Sequence, residues 1–144
     1  MEIETVLVPV DGSEESVAAA EYGVALADAY DAGLHALYVF GEGVVRGVEA
    51  GDLEEQQVAA ESEAFMDDVR ELAGDVPVSH ATAAGFSLSR LSRHPGSVIL
   101  DAADDVDADF LVIPREPATE ASASVLEKAA EYVLAHATQP VLSV

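Results

Sequence analysis

The sequence predicts an α/β fold: a doubly wound, parallel five-stranded sheet in a Rossmann-like three-layer sandwich. Three observations predict it. Short apolar runs at residues 6–10, 34–40 and 109–113 have the length and composition of strands buried on both faces. Longer stretches with helical spacing of their apolar residues separate them. Strands alternating with helices make a parallel sheet, because a parallel return needs a crossover and the crossover is right-handed.

Each element follows in order. Residues 5–10 read as the first strand. Pro9 lacks a ladder donor and is expected near the strand's end. Asp11-Gly12-Ser13 is a turn. Ser13 is an N-cap for a helix to Tyr30, with Glu14 and Glu15 in its first turn where the dipole favours acids. Val17, Ala20, Tyr22, Val24 and Ala27 are its expected apolar face, and Gly33 its C-terminal signal. Residues 34–40 are the second strand, and the four glycines of residues 41–51 read as a flexible loop. Residues 53–73 form a long amphipathic helix with Val58, Phe65, Val69 and Leu72 on one side, closed by Gly74.

Residues 76–83 are a weaker third strand, followed by a loop or short helix over 85–96. Ser97 is the expected cap of a helix to Val106. Residues 109–113 make the fourth strand, ended by Pro114. A helix from about residue 122 to His136 follows, and the C-terminal strand begins at Pro140 and ends at Val144. With 144 residues and no dividing linker, residues 1–144 are expected to be one domain.

Charge narrows the function classes. Six basic residues, of which Lys128 is the one lysine, stand against 28 acidic ones, for a net charge of −22. Nucleic acid and anionic membranes both need a basic footprint, so neither is an expected partner. The acids are spread along the chain, which fits a salt-rich cytoplasm, since molar salt shortens the Debye length to about 3 Å. No apolar run has transmembrane length and no targeting pattern opens the chain, so a cytoplasmic location is expected. With no cysteines there are no disulfides, thiolate metal sites or cysteine nucleophiles. His35, His80, His94 and His136 show no metal-ligand spacing, and Ser13 lies in Asp-Gly-Ser-Glu rather than a hydrolase elbow. No catalytic constellation emerges, so the expectation is a protein that is not an enzyme and has no metal.

The opening Val8-Pro9-Val10-Asp11-Gly12-Ser13, the segment from Ala108 to Ile113 and the close from Val133 to Val144 together resemble the universal stress protein family. Gly85 stands where that family has a glycine before its third helix. The resemblance covers essentially the whole chain. It implies the sheet order 3-2-1-4-5, stress-linked roles and dimers. Family members that bind ATP carry a glycine phosphate loop after the fourth strand. Here its glycine positions become Pro114, Pro117 and Glu127, and its hydroxyl position becomes Lys128. Proline has no N–H to offer a phosphate, and Glu127 adds a negative charge. No cofactor is therefore expected, and ATP or AMP is disfavoured.

Candidate ligand residues are Asp11, Gly12, Val39, Gly85, Arg90, Arg93 and Arg115. Asp11 and Val39 match positions that hold the adenosine half in the family. Asp11 reads equally as a turn residue satisfying local N–H groups, and Val39 more readily as buried strand. Arg90, Arg93 and Arg115 follow the third and fourth strands, where doubly wound sheets bind ligands. They either pair with surrounding carboxylates or hold a small anionic ligand. The uncharged C-terminal strand, from Pro140 to Val144, is an open pairing edge in the family order, which makes a homodimer through it the expected assembly. A binding or signalling module is the leading reading. An adenine-nucleotide switch or weak ATPase with a changed phosphate loop is the alternative.

Overall fold

The computed structural model describes residues 2–84, 94–115 and 125–144. Ten elements run in the order β1 (Thr5–Val10), α1 (Glu14–Tyr30), β2 (Gly33–Phe40), α2 (Glu42–Glu49), α3 (Glu55–Ala73), β3 (Val78–Ala84), α4 (Pro95–Asp105), β4 (Phe110–Ile113), α5 (Val125–His136) and β5 (Val141–Ser143). The strands form one parallel sheet in the order β3-β2-β1-β4-β5, as the sequence predicts. The order reverses between β1 and β4, and β3 and β5 lie at the two edges.

Strand alternation sends successive side chains into two cores. Val6, Val8 and Val10 of β1 pack with Ala19, Ala20 and Ala27 of α1 and Met66 and Val69 of α3. Leu7 turns the other way, to join Leu37, Val39, Leu111 and Ile113 against Ile99 of α4 and Ala129 and Val133 of α5. At the sheet's amino end, Asp109 ties two strands together: its Oδ2 accepts from the Glu4 and Thr5 amides at 2.9 and 3.1 Å.

Pro9 sits one residue from the end of β1, opposite Leu37 of β2. The Asp109 amide donates to the Thr5 carbonyl, so odd-numbered backbone groups of β1 face β4. The missing Pro9 donor therefore falls on the β4 side, where the register ends at Leu7↔Leu111.

Several local expectations are corrected. Helix α1 is capped by Ser13, whose Oγ accepts from the Ser16 amide, but its C-cap is Asp31 in the left-handed conformation (φ 55°) rather than Gly33, which opens β2. Aspartate tolerates that conformation better than most side chains. Its buried face is Ser16, Ala19, Ala20, Gly23 and Ala27, while Val17 and Tyr22 are 39% and 54% exposed. A Cβ on Gly23 would run into Val8, so only small residues let α1 lie this close to β1. Residues 42–49 are helical, not a flexible loop, with Val44 and Val48 one turn apart. In α3 the buried residues are Ser62, Met66, Val69 and Ala73, and Leu72 is exposed. Helix α4 starts at Pro95 and is capped not by Ser97 but by His94, whose Nδ1 accepts from the Gly96 amide at 3.0 Å. Tyr132 of α5 stacks on that imidazole at 4.5 Å. Among the described residues, no helix is long and apolar enough to cross a membrane.

Candidate functional site

The β1–α1 turn is built by its own sequence. Asp11 leaves β1 half-buried, and its Oδ1 accepts from the Ser13 amide at 3.0 Å, an Asx turn that aims the chain into the α1 N-cap. Gly12 has φ +85°, a conformation L side chains rarely adopt, and a Cβ there would lie 2.9 Å from the Tyr38 hydroxyl. That hydroxyl donates to the Asp11 carbonyl at 3.3 Å, which joins the end of β1 to the end of β2. Phe40 and Phe65 hold the Tyr38 ring, with centroids 5.1 and 5.8 Å away.

Beside this junction lies a cavity of about 260 Å³, bounded by Asp11, by the end of β2, by Val44 of α2, and by Leu53 and the first turns of α3. Its size is at the lower end of small-molecule sites. Tyr38, Phe40, Leu53 and Val58 give it apolar walls, and Asp11, Glu54 and Glu61 give it carboxylates. Burial pushes the Tyr38 hydroxyl above its ordinary pKa, and the negative charges of Asp11 and Glu61 push it the same way. A second hollow of about 530 Å³, sharing Phe40, Val44 and Val58 with the first, runs over Val48, Ala59 and Thr82.

The carboxyl ends of β4 and β5 are arranged differently. Pro114 is buried and has no N–H. The next amide, Arg115, donates to the Val144 carbonyl at 2.7 Å, while the Val144 amide donates to Ile113 at 3.0 Å. The chain just past β4 is thus paired with the C-terminal residue.

Of the sequence candidates, the structure brings Asp11, Gly12 and Val39 together. Asp11 and Val39 line the cavity, although the Val39 side chain is 1% exposed and packs in the α4–α5 core. Arg115 is exposed and is not among the residues around that cavity. Gly85, Arg90, Arg93 and Pro117 lie outside the described residues, and Glu127 and Lys128 fall within α5. Among the described residues, no group of three His, Asp or Glu side chains is placed to hold a metal ion. Sequence reasoning missed Tyr38, Glu54 and Glu61. The signal for Tyr38 was a hydroxyl-bearing residue on the same strand end as Val39. Nothing local pointed to the two glutamates, which α3 brings in from a distance.

The sequence matches the model of the universal stress protein family over residues 2–144. The chain belongs to the universal stress protein family. Similar solved folds include a universal stress protein from Lactobacillus plantarum, at 22% identity and TM-score 0.71, covering 100% of this chain and 99% of that one. Another is a universal stress protein in complex with cAMP, at 20% identity and TM-score 0.67, covering 100% and 98%. A third is the universal stress protein from Archaeoglobus fulgidus in complex with dAMP, at 16% identity and TM-score 0.65, covering 99% and 98%. No curated protein sequence matches the chain.

Proposed function

We propose that this universal stress protein is a single-domain binding and signalling module of a salt-rich cytoplasm, a homodimer paired through its C-terminal strand, which does not hold ATP through a phosphate loop. One observation carries the reading: neither of the first two backbone positions after β4 has a donor to spare. Pro114 lacks an N–H and the Arg115 amide is donated to Val144. A polyphosphate needs a run of free N–H groups on a backbone it can approach. The proline and glutamate at Pro117 and Glu127, and a net charge of −22, work in the same direction. A small anion held by Arg90, Arg93 and Arg115 is compatible with this reading, because a guanidinium fork needs no backbone cradle.

An adenine-nucleotide switch is the second reading. It is favoured by Asp11 and Val39 lying together at the cavity, and by relatives solved with cAMP and dAMP.

Calorimetric titration with ATP and Mg²⁺ in molar KCl separates the two. The expected dissociation constant is weaker than about 1 mM, or less than about 4 kcal/mol of binding. Micromolar affinity overturns the proposal. Replacing Pro114, Pro117 and Glu127 together by glycine should raise ATP affinity at least about tenfold, which is about 1.4 kcal/mol. Light scattering in the same salt should give a dimer mass, and Val141→Pro should give a monomer or an unfolded chain. A wild type that stays monomeric at high concentration removes the dimer.

A further inference from the structure

The cavity beside Asp11 has a chemical character of its own. Its walls are apolar where Tyr38, Phe40, Leu53 and Val58 line it, two of them aromatic, which suits an aromatic ligand. Among the described residues its charged side chains are all carboxylates, and they come from separate places in the chain. Asp11 arrives from the β1–α1 turn, Glu54 from the N-cap of α3 and Glu61 from the second turn of α3. Gln57 is the neutral polar side chain among them, and no lysine, arginine or histidine lines the space among the described residues.

The carboxylates also have capacity left. Asp11 spends Oδ1 on the Ser13 amide, and its other oxygen accepts no hydrogen bond among the described residues. Glu54 and Glu61 form no ion pair among those residues; Arg70, one of the few cations, is taken by Asp67 at 2.6 Å. A charge seated in the cavity lies at contact range of carboxylates that no described cation neutralises, and at that range salt screens least. Any anion there meets repulsion from three sides. A protonated amine finds acceptors and an opposite charge, and its ring finds aromatic neighbours in Tyr38 and Phe40.

We infer that the cavity formed by Asp11, Tyr38, Glu54 and Glu61 selects ligands by charge, accepting a planar aromatic molecule that carries a protonated amine and rejecting its anionic counterpart. The inference stands apart from the leading reading above and shares with the second reading only the choice of this cavity as the ligand site. It places any anion bound near Arg115 elsewhere.

The test uses the full chain in molar KCl and two probes with the same ring and opposite charge, tryptamine and indole-3-acetate, titrated by calorimetry. Tryptamine should bind at least tenfold more tightly. In the double variant Glu54→Gln/Glu61→Gln the preference should shrink to less than threefold. Both positions are exposed, so the fold is expected to survive, and circular dichroism checks that it does. Equal or tighter binding of indole-3-acetate, a preference that persists in the variant, or no binding of either probe overturns the inference. The ATP titration reports on the broader reading independently. Micromolar ATP with an intact amine preference would remove that reading and leave this inference standing; absent ATP binding with no amine preference would do the reverse.

Discussion

Among the described residues the carboxyl ends of β1 and β2 border a cavity, whereas those of β4 and β5 are paired with each other, although all four strands belong to one sheet. At the cavity end, a glycine with positive φ and a tyrosine hydroxyl bridge two strands and leave a cavity beside them. At the paired end, a buried proline and a C-terminal residue fill the place of a binding loop's first amides with a ladder. The difference teaches that a doubly wound sheet offers a general location for ligands. Whether a given strand end can use it depends on where the local N–H groups are already committed.

The strongest way to break the cavity end is Gly12→Val. The substitution puts a branched side chain at φ +85° and a Cβ against the Tyr38 hydroxyl. Left-handed strain and overpacking together should cost about 3 kcal/mol, roughly 10 °C in Tm for a chain of this size. Adding Tyr38→Phe should recover the packing part and leave the strain. Full recovery, measured by thermal melts in molar KCl, would show that φ at Gly12 is not a constraint.

A smaller effect is expected at the paired end. Arg115→Pro deletes the amide that bonds Val144 and should cost about 1 kcal/mol. Ligand binding in the Asp11 cavity should be unchanged. An equal loss of binding would mean that the two ends act as one unit.

The mildest test lies away from both ends. His35 is buried near the start of β2, with its Nδ1 2.7 Å from Ser79 Oγ. Burial, and then the neighbouring His80, hold its pKa below the ordinary value of 6.5. The unfolded chain therefore binds the proton more readily, so this group costs stability as pH falls through about 6.5 and costs nothing well above it. Wild type should lose stability between pH 7.5 and 5.5 that His35→Gln retains, with no change in ligand affinity. Parallel pH profiles for the two proteins would contradict this.

What was legible in the sequence follows from range. β1, β2 and β4 were readable because burial on both faces leaves an unbroken apolar run, and the Ser13 cap because its contact spans three residues. Helix α2 was not readable because Gly43 and Gly47 mask the Val44–Val48 turn. The buried face of α1 was misjudged because large side chains attract attention, while close approach to β1 selects Ala19, Ala20 and Gly23. The His94 cap was missed because serine is the commoner cap and three residues on there was one. Half the candidate site, Asp11 and Val39, sits at strand ends and could be placed. Its other half, Glu54 and Glu61, depends on how a 19-residue helix docks.

The outer strand β3 has a consequence for the protein as a colloid. Val78–Ala84 pairs with β2 along its whole length, carries no lysine, aspartate or glutamate, and meets no further strand among the described residues. Such a rim is a template on which another extended chain can add. In dilute salt, two molecules of charge −22 are kept apart before their rims can meet. Molar salt screens that barrier and the repulsion within each molecule alike, because one screening length governs both effects. The dispersing force and the self-repulsion inside the fold are the same force, so solution conditions that favour the folded chain also favour its self-adhesion along β3.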